Sequence, residues 1–173
     1  MVAISQLILL AVSATASVLP RDAATVQADL KTINSDTTTL TQKVQAYNGG
    51  VSNALPIQSA ENQLEKDLKS ANTDAGNSAV VSATDAQSII DYINNTLEPN
   101  IAKSIQALEA KKSNFQADGL SGTVLSDLKN IKNETDTLGA SLKAKTPSSK
   151  QSAAQAALNK IDNDLQGGIN YFS

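Results

Sequence analysis

Residues 24–47 read ATVQADLKTINSDTTTLTQKVQAY, and Val26, Leu30, Ile33, Thr37, Leu40, Val44 and Tyr47 follow one another at alternating steps of four and three. Such steps return to one face of an α-helix every two turns, whereas a half-buried strand needs strict alternation. The stretch reads as a helix whose apolar stripe must be covered by other helices. Gly49 and Gly50 follow it, and glycine reaches the left-handed backbone that ends helices.

The same spacing recurs downstream. A second helix is expected from Asn53 or Leu55 to about Thr73, with Pro56 in its first turn and Ile57, Ala60, Leu64, Leu68 and Ala71 on one face. Asp74 to Ser78 reads as a loop. Thr84 with Gln87 forms a capping box for a third helix carrying Ala86, Ile89, Ile90, Ile93 and Leu97. Pro99 either starts a fourth helix or kinks one long helix, because the period resumes through Ile101, Ile105, Leu108, Lys112 and Phe115 before Gly119. The next helix opens at Ser121 or Thr123 and runs to about Lys145 through Val124, Leu128, Ile131, Thr135, Leu138 and Leu142. Past Pro147, a last helix capped near Ser148 or Ser149 carries Ala154, Leu158, Ile161, Leu165, Ile169 and Phe172, with Gly167-Gly168 weakening its end. Five helices, or six if Pro99 breaks the third, joined by short connections, imply an all-α, up-and-down antiparallel bundle.

Upstream of this pattern, Ile4 and the run Leu7 to Val12 build a short apolar core with no charged side chain before Arg21. Ala14-Thr15-Ala16 supplies a small-residue cleavage site, so residues 1–16 read as a secretory signal cut before Ser17. Residues 17–173 are then one helical-bundle domain, with no transmembrane segment in the mature chain. No apolar tail precedes Ser173, which argues against a lipid-anchor signal.

Composition excludes much chemistry. The 173 residues include no cysteine and no histidine, so there is no thiolate, no imidazole base, no Ser-His-Asp triad and no zinc site of the usual kind. Asp162-Asn163-Asp164 lacks the spacing of a calcium loop, and no metal or cofactor is expected. The acidic residues read as solvated positions on polar helix faces, and the chain as no enzyme. A net charge of −3 without a basic block gives no reason to expect a nucleic-acid partner. Without disulfides, burial alone must stabilise a chain with only three Tyr, two Phe and no Trp. Two glycosylation sequons occur, at Asn94 and Asn133, with Asn94 favoured.

Leu19-Pro20-Arg21-Asp22, Tyr47-Asn48-Gly49-Gly50, Lys111-Lys112 with Phe115, Gly119-Leu120 and Lys145-Thr146-Pro147, set among the helical leucines, resemble the fungal hydrophobic surface-binding protein A family, which includes cell-wall galactomannoproteins. The resemblance implies a secreted or wall-associated fungal protein that is all-helical. It also implies two behaviours, adsorption to hydrophobic surfaces and enclosure of fatty acids between helices. The serine- and threonine-rich extension of some wall members is not found here.

A fatty acid needs a dry apolar tube and a donor for its carboxylate. Leu64, Leu68, Ile93, Ile105 and Leu108 are candidate lining residues from the first half of the chain. Phe115, Leu128, Leu138, Ile161 and Leu165 are those from the second. Thr37, Thr135 and Lys112 interrupt the stripes and are candidate head-group ligands. The favoured partners are fatty acids or related lipids. The alternative is a surface-active adhesion protein that coats hydrophobic solids and recruits a secreted esterase or cutinase.

Overall fold

The computed structural model of the chain describes residues 22–173. The expected leader and its cleavage before Ser17 lie outside the described residues. Helix α1 (Ala23–Ala46) is capped by Asp22, whose side chain accepts the Thr25 N–H at 3.0 Å. All seven positions of its four-three stripe are buried, Thr37 included. Gly49 and Gly50, at φ of 101° and 91°, turn the chain through a 3-10 turn (Val51–Ala54) into α2 (Leu55–Asn77).

Helix α2 continues through the residues read as a loop, because Ala75 extends the buried series Leu64, Leu68, Ala71 and holds the next turn against the core. The cap of α3 (Ala83–Tyr92) also differs from expectation. Ser82, not Thr84, accepts the Asp85 N–H at 3.1 Å and donates its hydroxyl to the Asp85 carboxylate at 2.7 Å. Pro99 does not break the rod. A π turn (Ile93–Leu97), at whose end the Glu98 N–H donates to Ile93 O, joins α3 to α4 (Glu98–Ala110) and places Pro99, which has no N–H to give, in the first turn of α4. A short α5 (Lys112–Ala117) ends at Gly119 (φ 72°), with Leu120 N–H donating to Phe115 O and Gly119 N–H to Gln116 O. That pair of bonds is the glycine-terminated stop that satisfies the last carbonyls of a helix.

Helices α6 (Ser121–Ala144) and α7 (Gln151–Phe172) complete the fold. Gly167-Gly168 neither ends nor frays α7. Gly168 is buried where a Cβ would stand 3.2 Å from Ile105, so its missing side chain lets α4 and α7 approach.

Among the described residues, the long helices close a ring in the order α1, α2, α6, α7, α4 and back to α1. Each rod runs antiparallel to the one before it in the chain, as the short connections require. An odd ring cannot alternate throughout. Asn34 meets Asn100 and Asn48 meets Lys111, so α1 runs parallel to α4. Lys69 meets Glu134 and Asn72 meets Ser141, so α2 runs parallel to α6, and Ile105 meets Gly168 while Lys112 meets Tyr171, so α4 runs parallel to α7.

The upper end of the ring is shut by aromatics. The Tyr47 ring stacks on Phe115 with centroids 4.7 Å apart, and Phe115 meets Phe172 edge-on at 6.4 Å. The Tyr47 hydroxyl donates to the Asp118 carboxylate, which also accepts the Gly50 N–H at 2.7 Å. Burial, and then the facing Asp118, push the Tyr47 phenol up to about 12, so it stays a donor. None of the described helices is long and apolar enough to cross a membrane.

Candidate functional site

Midway along the ring, all five rods surround a void of about 40 Å³. Helix α1 contributes Ile33, Thr37 and Leu40, and α2 contributes Leu64 and Leu68. Ile101, Ser104, Ile105 and Leu108 reach it from α4. Leu128, Ile131 and Thr135 of α6 and Leu165 of α7 close the circle. Hydroxyls are the polar groups on this wall, and the Thr37 hydroxyl already donates to Ile33 O at 2.8 Å within its own helix. The void is thus dry and dominated by branched aliphatic side chains, but far below the roughly 300 Å³ of an ordinary small-molecule pocket.

Leu64, Leu68, Ile105, Leu108, Leu128 and Leu165, with Thr37 and Thr135, therefore meet around one space. Ile93, Leu138 and Ile161 are buried in the core without lining it. Phe115 belongs to the aromatic end-cap. Lys112 lies apart from the void, donating to the Tyr171 carbonyl with its ammonium 4.6 Å from the Tyr171 ring centroid. A cation at the last turn of α7 complements the helix dipole. The sequence reading missed Ile33, Leu40, Ile101, Ser104 and Ile131. Four of these sit on stripes it had traced, whereas Ser104 carried no apolar signal.

The seams beside the void hold carboxyl groups in contact, which corrects the reading of the acidic residues as solvated. Asp36 of α1 meets Asp67 of α2 within hydrogen-bonding reach. Glu61, only 7% exposed, faces Glu65 on its own helix and Asp127 on α6, with Lys69 as the nearby cation. Asp164 of α7 meets Glu98 of α4. One buried oxygen each of Asp36, Glu65 and Asp164 accepts no hydrogen bond, which suits a carboxyl pair sharing a proton. Burial first, then Asp67, pushes the Asp36 carboxyl up to about 6. Burial first, then Asp127 and Glu65, pushes Glu61 up to about 7. Burial also raises Asp127, ahead of Glu65, and Asp164, ahead of Glu98.

These groups hold protons in the native state at pH values where the unfolded chain has released them. Their contribution is complete below the ordinary carboxyl range and is lost as pH rises through about 6 and 7. At about 1.4 kcal/mol per unit, reduced for partial solvation, about 3 kcal/mol is expected to disappear between pH 5 and pH 8. A set of thermal melts across that range should show Tm falling by roughly 6–12 °C as pH rises. A flat or rising Tm would mean that the seams carry no shared protons.

The sequence bears directly on what such a ring is for. A model of the hydrophobic surface binding protein A family matches residues 23–144, which spans every rod of the ring but α7. The chain belongs to this family. Among relatives, cell wall mannoprotein 1 of Aspergillus fumigatus is 28% identical over 159 residues, covering 92% of this chain. The chain spans only 55% of that relative's length. The crystal structure of AFMP4P in complex with palmitic acid superposes at a TM-score of 0.84 with 34% identity, covering 88% of this chain and 100% of that one. Ligand binding domain 1 of the Penicillium marneffei MP1 protein, complexed with arachidonic acids, gives a TM-score of 0.82 at 22% identity, over 87% of this chain and 99% of that one. At that identity the second likeness speaks for the fold alone.

In this family member the two sequons differ in setting. Asn133 is exposed on α6, whereas Asn94 is half-buried in the π turn, donating to Ile90 O at 3.1 Å and accepting from Lys160 at 2.9 Å. The Asn133 side chain is thus open to solvent, whereas the Asn94 amide is engaged at both its nitrogen and its oxygen.

Proposed function

We propose that the protein is a secreted, non-catalytic carrier that takes a long-chain fatty acid into the centre of its helix ring, and that it works outside the fungal cell or at its wall. The observation that carries this reading is the convergence of all five rods on one dry aliphatic void. Support comes from the family match and from the likeness, over 88% of this chain, to a protein crystallised with palmitic acid. Leu64, Leu68, Ile105, Leu108, Leu128 and Leu165 line the acyl chain in this reading, with Thr37 and Thr135 as the hydroxyls nearest it.

A void of about 40 Å³ does not hold such a chain, so the ring described here is the closed form and loading widens it. The driving force is adequate. About 15 methylenes at roughly 0.8 kcal/mol each give about 12 kcal/mol gross, which leaves useful affinity after several kcal/mol for immobilising the chain and opening the ring. Incubation of delipidated protein with palmitate is expected to yield a 1:1 complex in native mass spectrometry and a rise in Tm that grows with ligand concentration. Neither mass shift nor thermal shift at saturating palmitate would end the carrier reading.

One observation favours the second reading, adsorption to apolar solids. Val51 and Leu55, 59% and 62% exposed, border a groove of about 210 Å³ with Leu120 and Val124 at the upper end. A patch of this kind is suited to contact with a waxy surface. If adsorption is the function, Leu55→Ser with Val51→Ser will abolish retention on polystyrene beads while leaving palmitate uptake intact.

A further inference from the structure

The central void reaches towards the outer surface at Thr135. This residue lines the void and also a groove of about 350 Å³ on the outside of the ring, between α6 and α7. The groove lining is mixed, with Gly139, Ala140 and Leu158 as its apolar members. Gly139 and Leu158 lie there, so close that a Cβ on Gly139 would stand 3.2 Å from Leu158 Cδ2. Thr135, Gly139 and Lys143 follow at intervals of four on one face of α6, which puts Lys143 about 12 Å along the helix from Thr135.

Charge is sorted along this groove. At the Thr135 end, Lys132 is held by Asp136 at 2.8 Å and by Asp162 across the seam, an arrangement with one carboxylate in excess. At the far end, the Lys143 ammonium donates at 2.7 Å to Gln155 Oε1, a neutral acceptor. A carboxylate makes a shorter and roughly twice stronger bond to an ammonium than an amide oxygen does. Across the α1–α4 seam the neutral amides of Asn34 and Asn100 pair with each other, and the three remaining seams beside the void repel an anion. Asp36 and Asp67 face each other between α1 and α2, and Glu98 faces Asp164 between α4 and α7. Between α2 and α6, Glu61, Glu65, Asp127 and Glu134 surround the single ammonium of Lys69.

We propose that the groove between α6 and α7 is the entry and head-group site for a fatty carboxylate, with Lys143 as its anchor. The acyl chain crosses Gly139 and Leu158 and passes Thr135 into the ring. Asp136 and Asp162 at the inner end set the direction, keeping the carboxylate at the Lys143 end. This proposal rests on the carrier reading and adds to it the route, the polarity and the residue that recognises the acid.

Affinities for palmitate and for hexadecanol, which has the same chain without the carboxylate, test it at pH 8 in low salt. Lys143→Gln is expected to weaken palmitate about tenfold, the value of one part-exposed charge-assisted bond, and to leave hexadecanol unchanged. Lys66→Gln removes the same charge from an exposed position on α2 and should leave both ligands unchanged. Palmitate binding to the Lys143→Gln protein within twofold of the parent would overturn the assignment. So would an equal loss of palmitate and hexadecanol, which would mark Lys143 as structural. If the parent protein binds neither ligand, the carrier reading itself fails and this site fails with it.

Discussion

Phe115→Ala is expected to lower stability by about 4 kcal/mol and Tm by roughly 8–16 °C, the largest change that a single substitution in this molecule should produce. Phe115 is 2% exposed and is the middle ring of the three that shut the upper end. Its removal leaves a cavity between α1, α5 and α7 and also ends the stack on Tyr47, worth about 0.5–1.5 kcal/mol beyond simple burial. The chain has no disulfide to limit the damage. Guanidinium and thermal unfolding followed by circular dichroism measure the loss. A change below about 1 kcal/mol would show that the aromatic end-cap contributes little to holding the rods together.

Ser104→Val is expected to move stability and affinity in opposite directions. Ser104 is buried on α4 and lines the void, so two methyl groups in place of its hydroxyl fill space that is otherwise unused. Burial at about 0.8 kcal/mol per carbon, less a few tenths for a β-branched residue in a helix, leaves a gain of about 1 kcal/mol for the closed ring. A ligand that must open the ring works against that gain. Palmitate affinity should fall at least about fivefold while Tm rises a few degrees. Raised Tm with unchanged affinity would show that the acyl chain lies elsewhere.

The bundle was largely legible from spacing. Every position of the stripe from Val26 to Tyr47 is buried, because a period of 3.5 residues has one physical solution in a chain without strand patterns. The errors at Asp74–Ser78 and Gly167-Gly168 share a cause. In both, the apolar series running through the stretch overrides its turn-forming composition, Ala71 to Ala75 in one case and Leu165 to Ile169 in the other.

The candidate site was legible by face but not by level. Periodicity tells which side of a helix looks inward, so Leu64, Leu128 and Thr37 could be named. It does not tell how far along the axis each residue comes to rest, so Ile93, Leu138 and Ile161 looked the same as true lining residues. The carboxyl pairs were invisible for a related reason. Asp36, Asp127 and Asp164 each directly precede a lining residue, and whether that position meets solvent or another helix depends on the ring order. Sequence distance does not reveal that α2 neighbours α6.

That neighbour order also governs how the molecule assembles. Hairpins α1–α2 and α6–α7 are closed by short connections and can form early, from contacts local in the chain. The parallel seams α1–α4 and α2–α6 join residues such as Asn34 and Asn100, or Asn72 and Ser141, that lie 66 and 69 positions apart. Their loop-closure entropy must be met before any reward, so they form late. The central void is therefore the last feature to exist in a folding chain, and until then its leucines and isoleucines stand open to other molecules doing the same.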